Sequence, residues 1–174
     1  MYLYIYAVGK FGTEGQKMAE NLFKKMGFIP DATPEDIKYE AVVHASEIIR
    51  FLQKIPKMNA DTMLHILATA VRIGVLADGK IDENERQLIR EVFSEICDAP
   101  FAEVMKVVDR PLDDRSYRIV EDLLKMSNAL GMEFVNLIVC FAYADGVFED
   151  EVSERLSAIV TENVRLVSGN PGTQ

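Results

Sequence analysis

The stretch Leu67–Glu85 reads LATAVRIGVLADGKIDENE and carries the signals for two helices and the turn between them. Its apolar residues have helical spacing as far as Ala77-Asp78-Gly79. Glycine commonly follows the last turn of a helix, because it adopts the left-handed conformation at little steric cost. Asp82 and Glu85 have the spacing of a capping box, in which two side chains bond the first N–H groups of the next helix. The stretch therefore predicts a helix, a short turn and a second helix.

A second copy of this signal occurs 67 residues further along the chain, where Ala144-Asp145-Gly146 repeats the tripeptide. Matched apolar periodicity around both copies indicates a duplicated helix–loop–helix unit. Repeat one covers about residues 60–97 and repeat two about 127–164. Two such units are expected to pair their apolar faces about a pseudo-twofold axis. The matched pairs are Leu67 and Phe134, Ala70 and Leu137, Val71 and Ile138, Ile81 and Phe148, Ile89 and Leu156, and Val92 and Ile159.

Helical periodicity continues along most of the chain. Thr33-Pro34-Glu35-Asp36 is typical of a helix start, with a hydroxyl cap, a proline at the first position and acids near the positive dipole end. Tyr2–Val8 could form a short strand or begin a helix. We expect an all-α protein, a bundle of about seven to nine helices. The expected helices lie around Met18–Met26 and near 34–55, 59–76, 82–97, 100–108, 114–129, 132–144 and 149–167.

The charge is unevenly distributed along the 174 residues. Residues 1–56 contain seven basic and seven acidic side chains, whereas residues 57–165 contain twelve and twenty-one, which accounts for the net charge of −9. An acidic surface repels phosphate backbones, so nucleic-acid binding is not expected. The apolar run Tyr2–Val8 is too short to span a bilayer and lacks the features of a signal peptide. We therefore expect a cytoplasmic protein.

The acidic turn invites comparison with a calcium-binding EF-hand loop, which takes ligands from positions 1, 3, 5, 7, 9 and 12 and has glycine at position 6. With Gly79 at position 6, Asp78 and Glu85 fall at positions 5 and 12. Gly74 and Leu76 then fall at positions 1 and 3, where neither can supply a carboxylate. The second copy lacks even more of these ligands, so neither turn is an EF-hand.

Two interpretations of the turn remain open. In the first, the glycine ends one helix and the acidic residues cap the next. In the second, carboxylates of both copies also converge on a hard cation such as calcium or magnesium. Capping is favoured as the main reason for the motif. It does not explain Asp78 and Asp145, because an acid at a helix C-terminus opposes the helix dipole. The acids concerned are Asp78, Asp82, Glu83 and Glu85 in the first copy, and Asp145, Glu149, Asp150 and Glu151 in the second.

A duplicated helix–Ala-Asp-Gly–acidic–helix unit in an acidic helical domain resembles the TerB-like family of tellurite-resistance proteins, whose domain also occurs beside J-domains in co-chaperones of the DjlA type. The match covers about residues 57–165 and rests on ADGKIDENE and ADGVFEDE. The resemblance implies a compact helical fold with two related halves and acidic surface clusters. Carried over to this chain, the acidic positions and candidate metal ligands are Asp78, Asp82, Glu85, Asp145 and Glu149. Val152 stands where the second copy would need its late glutamate, which weakens that cluster.

The same resemblance implies a non-enzymatic binding or scaffold module in a bacterial stress-response or tellurite-resistance type system. Protein partners are expected, with peripheral association with a membrane complex in some cases. Two alternatives remain: a small metal-dependent enzyme that uses the carboxylate clusters, and a ligand-free dimeric structural module. A catalytic site normally places a base or nucleophile near its metal, whereas these loops offer carboxylates, so catalysis is not expected.

The remaining candidates for chemistry are two histidines and two cysteines. His44 lies on an apolar helix stripe and is expected to be a core or rim residue. His65 shares a helix face with Asp61, Thr69 and Arg72 and is expected to be solvated. Cys97 and Cys140 are flanked by apolar residues and are expected to fill space in the core.

The chain divides into a helical N-terminal extension at residues 1–56, a TerB-like domain at 57–168 and a disordered tail at 169–174. The extension contains the wide apolar stripe of the helix near 34–55. An exposed stripe of that width would promote aggregation. We expect it to pack within the chain or in a homodimer rather than on a membrane.

Overall fold

The computed structural model describes residues 33–76, 80–142, 144, 154–156 and 158–159. No strand occurs among these residues, and the predicted all-α class is confirmed for them. The predicted helix around Met18–Met26, the Tyr2–Val8 segment and the tail lie outside the described residues. Six helices have defined bounds, namely α1 (Pro34–Leu52), α2 (Ala60–Val75), α3 (Glu83–Ile96), α4 (Phe101–Val108), α5 (Asp114–Met126) and α6 (Asn128–Ala142).

Short polar side chains cap the starts of four of these helices, α1, α2, α3 and α5. At α1, the Thr33 hydroxyl accepts a hydrogen bond from the Asp36 N–H, and the Asp36 carboxylate accepts one from the Thr33 N–H. At α2, Asn59 Oδ1 accepts a hydrogen bond from the Thr62 N–H at 2.8 Å. Each cap satisfies donors that have no partner within the helix and contributes about 1 kcal/mol. The helix starts predicted at Thr33 and Asn59 are confirmed.

Helices α2 and α6 form the centre of the bundle. α6 packs against α1, α2 and α5, and α2 packs also against α4 and α5. All nine residues from Leu67 to Val75 are buried, as is almost the whole of α6 from Phe134 to Ala142. A helix that is buried all round needs neighbours on every side. α3 completes the bundle by packing against α1 and α4.

Two glycines allow the central helices to approach their neighbours closely. A Cβ atom placed on Gly74 of α2 would lie 2.7 Å from the Ile138 carbonyl oxygen and 2.7 Å from Phe141 Cβ, both on α6. A Cβ atom on Gly131 of α6 would lie 2.6 Å from Leu124 Cα on α5. Atoms at such distances overlap, so the close crossings of α2 with α6 and of α5 with α6 both require glycine.

The predicted boundary between the fifth and sixth of these helices is wrong by about four residues, because α6 begins at Asn128 rather than near 132. Ser127 is extended, with φ −159° and ψ 121°, and ends α5. Its carbonyl accepts the Gly131 N–H at 2.9 Å, and its hydroxyl lies 3.4 Å from the Leu130 nitrogen. The serine therefore separates two helices whose apolar periodicity runs on almost without interruption.

α1 belongs to the predicted N-terminal extension, yet its apolar face is part of the same core. Ile37, Ala41, Ala45, Ile48 and Leu52 are buried on the side that meets α6 and α3. At the edge of this contact the Lys38 ammonium lies 2.8 Å from a Glu95 carboxylate oxygen of α3. The apolar stripe that raised the question of aggregation is therefore covered within the chain.

None of the helices among the described residues is both long enough and apolar enough to cross a membrane.

Replacing Gly74 with alanine is expected to lower the free energy of unfolding by about 2 kcal/mol. A methyl group that meets a backbone oxygen cannot be relieved by turning a side chain, and this overlap outweighs the helix propensity that alanine gains over glycine, about 1 kcal/mol. Urea unfolding followed by circular dichroism measures the change. Ala102→Ser, on an exposed position of α4, is the control and should change stability by less than about 0.5 kcal/mol. An unaltered midpoint for Gly74→Ala would contradict the close crossing.

Candidate functional site

The acidic segment after the first Asp-Gly turn forms a capping box at the start of α3. Asp82 Oδ1 accepts a hydrogen bond from the Glu85 N–H at 2.8 Å, and Glu85 Oε2 accepts one from the Asp82 N–H at 2.8 Å. Asp82 is exposed, whereas Glu85 is only 4% exposed. Ile81 is half-buried and packs against the core beside them. The paired hydrogen bonds confirm that Asp82 and Glu85 cap α3, whereas Gly79, which the capping interpretation gave the role of ending α2, lies outside the described residues.

The structure brings together two of the five predicted metal ligands, Asp82 and Glu85. Asp78, Asp145 and Glu149 lie outside the described residues. Within the described ranges, no three side chains of histidine, cysteine, aspartate or glutamate form a group that could hold a metal ion. The metal-binding prediction for the five residues therefore stays a prediction.

The geometry of the capping box limits what the described pair can do for a cation. One oxygen of each carboxylate is engaged by a backbone N–H group, and Glu85 is buried. Hard cations such as calcium need six to eight oxygen ligands, which the pair alone does not supply. Asp82 fits the edge of such a site because its carboxylate reaches solvent. A complete shell would have to include Asp78 or residues from the second turn.

A second polar cluster, which the sequence motifs did not indicate, lies where α2 meets the start of α5. Arg72 of α2 is only 6% exposed, and its Nη2 donates a hydrogen bond to the Ser116 hydroxyl. That hydroxyl donates to Asp113 Oδ1 at 2.7 Å, and the same oxygen accepts the Ser116 N–H at 3.0 Å as the cap of α5. Asp113 Oδ1 is 3.9 Å from Arg72 Nη2. The serine thus connects a buried cation to a carboxylate at the surface.

The expectation that His65 is solvated is confirmed, because His65 is exposed. Thr69 and Arg72, which lie on the same face of α2, are nevertheless buried. The reason is tertiary, because α4, α5 and α6 cover the C-terminal half of α2 and leave it no face in solvent. The signal that could have identified Arg72 is its position as the only charged residue in the run from Ile66 to Ala77.

His44 joins α1 to α6 at the rim of the core, which confirms the expectation of a core or rim position. Its Nδ1 lies 2.6 Å from Glu133 Oε2, and its Nε2 lies 3.7 Å from Glu40 Oε2. An ionised carboxylate only accepts hydrogen bonds, so Nδ1 carries the proton that is donated to Glu133. This contact links residues 89 positions apart in the chain.

The two cysteines are free thiols that pack against the core. Cys140 is fully buried, and burial raises the pKa of its thiol far above the ordinary value, with the negative charge of Glu40 adding to the effect. A thiol with so high a pKa is a poor nucleophile. The Cys97 Sγ lies 3.5 Å from the Phe93 carbonyl oxygen at the end of α3. The expectation that Cys140 fills space in the core is confirmed by its burial.

Substitution of Asp82 separates its capping role from its charge. Asp82→Ala removes the acceptor for the Glu85 N–H and is expected to lower the free energy of unfolding by about 1 kcal/mol. Asp82→Asn is the matched variant, because asparagine caps as well as aspartate, and it should change stability by less than about 0.5 kcal/mol. Chemical unfolding of both variants measures the difference. Equal losses in the two would mean that the charge, rather than the cap, stabilises the start of α3.

Comparison with protein-family models, with curated proteins and with solved structures found no match for this chain. The resemblance to TerB-like proteins therefore rests on the two Asp-Gly motifs and their helical setting.

Proposed function

We propose that the chain is a non-enzymatic binding and scaffold module of the TerB-like type, acting in a bacterial stress-response or tellurite-resistance type system. The observation that carries the proposal is the pair of helices that flank the first motif. α2 ends at Val75, before Ala77-Asp78-Gly79, and a capping box of Asp82 and Glu85 begins α3 after it. The capping box holds the exposed Asp82 on a fixed helix start, which is what a binding surface requires.

The contact at Gly74 supports the duplication on which this proposal depends. Under the offset of 67 residues, Gly74 in the first copy is equivalent to Phe141 in the second. These two residues meet where α2 crosses α6. In a twofold arrangement, a residue meets its own equivalent only near the axis. We therefore propose that a pseudo-twofold axis passes close to this crossing and relates repeat one to repeat two.

The ligand proposed for the two acidic turns is a divalent cation such as calcium or magnesium. Carboxylate oxygens are the ligands that these ions prefer, and the proposed set is Asp78, Asp82, Glu85, Asp145 and Glu149. Cation binding would change the charge that the module offers to a protein partner. Asp82 is the described member of the set whose carboxylate reaches solvent.

Isothermal titration with calcium, magnesium, manganese and zinc tests this proposal. We expect heat of binding from the native protein and its loss in the double variant Asp78→Asn, Asp145→Asn. The matched control is Asp98→Asn, Asp122→Asn, which removes two charges from exposed positions away from the turns and should bind as the native protein does. Heat that persists in the first double variant would exclude the turns as the binding site.

The Asp82→Asn variant adds a second readout, because it preserves the cap and removes the charge. A weaker cation affinity with unchanged stability would assign Asp82 to the ligand shell. The scaffold role is tested separately by pull-down from cells under metal or oxidant stress. If no protein partner is retained under either stress, the scaffold proposal fails even if the turns bind cations.

A further inference from the structure

The outer side of α1 carries exposed apolar side chains. Three large hydrophobic residues are exposed in the part of the chain that the structure describes, and two of them lie one helical turn apart on α1, namely Tyr39, 67% exposed, and Val43, 37% exposed. Single exposed hydrophobic residues are common, but a pair four positions apart forms a continuous surface, which we name the α1 patch. With about 100° between successive residues, it lies opposite Ala41 and Ile48, which are buried in the core.

The chain enters α1 close to this patch. Residues 1–32 lie outside the described residues and lead into Thr33, the cap of α1. Tyr39 is therefore less than two turns from the point where that segment joins the helix. The helix predicted around Met18–Met26 leaves only residues 27–32 as a connection. Connections of about two to eight residues join helices that pack side by side and antiparallel, so the preceding helix is expected to lie along α1.

The preceding segment has an apolar stripe that matches the α1 patch in spacing. Met18, Leu22 and Met26 recur every four residues, as the two residues of the patch do. In an antiparallel pair joined by the short connection, Met26 comes level with Tyr39. Leu22 then comes level with Val43, because both stripes advance by four residues. Packing the two stripes together removes apolar surface of both from water, which is the main favourable contribution to helix packing.

Charge favours this segment over a second copy of the chain as the occupant of the patch. α1 contains four acidic residues against one lysine and one arginine, so two copies of α1 brought together would repel each other. Residues 16–26 contain three lysines and one glutamate and are attracted to the same helix. The register that pairs the apolar stripes also brings Lys25 level with Glu40.

We propose that residues 16–26 dock antiparallel on the α1 patch, as a further helix of the same bundle. Leu22 and Met26 then cover Val43 and Tyr39. The outer side of α1 is in that case an internal surface, and protein partners of the module must bind elsewhere. This inference depends neither on cation binding at the acidic turns nor on the scaffold role.

Nuclear magnetic resonance of the full chain with labelled methyl groups tests the proposal. We expect nuclear Overhauser contacts from the Leu22 methyl groups to the methyl groups of Val43 and to the ring of Tyr39. A sample that mixes labelled and unlabelled chains separates contacts within one chain from contacts between copies. The proposal is overturned if residues 16–26 make no contact with the α1 patch, or if the contacts to the patch occur only between copies.

Tyr39→Gln removes most of the apolar area of the patch without changing its charge. It should accelerate hydrogen exchange of the backbone amides in residues 16–26 about tenfold or more, because docking would then bury a polar side chain. The matched control is Met126→Gln on α5, which replaces a side chain that is 58% exposed and should leave those exchange rates unchanged. Native rates in Tyr39→Gln, or equal acceleration in both variants, would contradict docking on α1.

Discussion

The crossing of α2 and α6 at Gly74 is the constraint on which the rest of this structure depends. With no side chain at that position, the two helices meet backbone to backbone, while α1 and α5 pack against both of them and α4 packs against α2. Arg72 is two residues before the glycine, about 200° around the helix, and is buried on the side that faces α5, where its Nη2 donates to the Ser116 hydroxyl. The close crossing and the buried charge therefore lie on opposite sides of the same central helix.

The parts of the fold that could be predicted are those encoded by neighbours in the chain. Thr33 with Asp36, and Asp82 with Glu85, are three residues apart, and a capping box needs nothing from elsewhere in the protein. The start of α6 was predicted wrongly because the local signal that separates it from α5 is weak. Ser127 interrupts two helices whose apolar stripes almost join, and a single serine is a weak break beside so strong a periodicity.

The candidate sites differ in the same way: the site with local spacing could be predicted, and the contacts between distant residues could not. The acidic motif was recognised because its spacing is local, and Asp82 and Glu85 form the capping box that this spacing predicts. The Arg72–Ser116 and His44–Glu133 contacts join residues 44 and 89 positions apart. No pattern in the sequence relates them, because each depends on which helices become neighbours. The one available clue was that Arg72 is the single charged residue in the run from Ile66 to Ala77.

The central position of α6 has a consequence for synthesis on the ribosome. α1 and α2 are made long before the helix that covers them, since α6 is completed only when residue 142 has been added. Until then, the nascent chain carries apolar faces that have no permanent cover, which is the condition under which chaperones are recruited. The complete native core must therefore form late, although α1 can already pack against α3 and α2 against α4 before α6 is made.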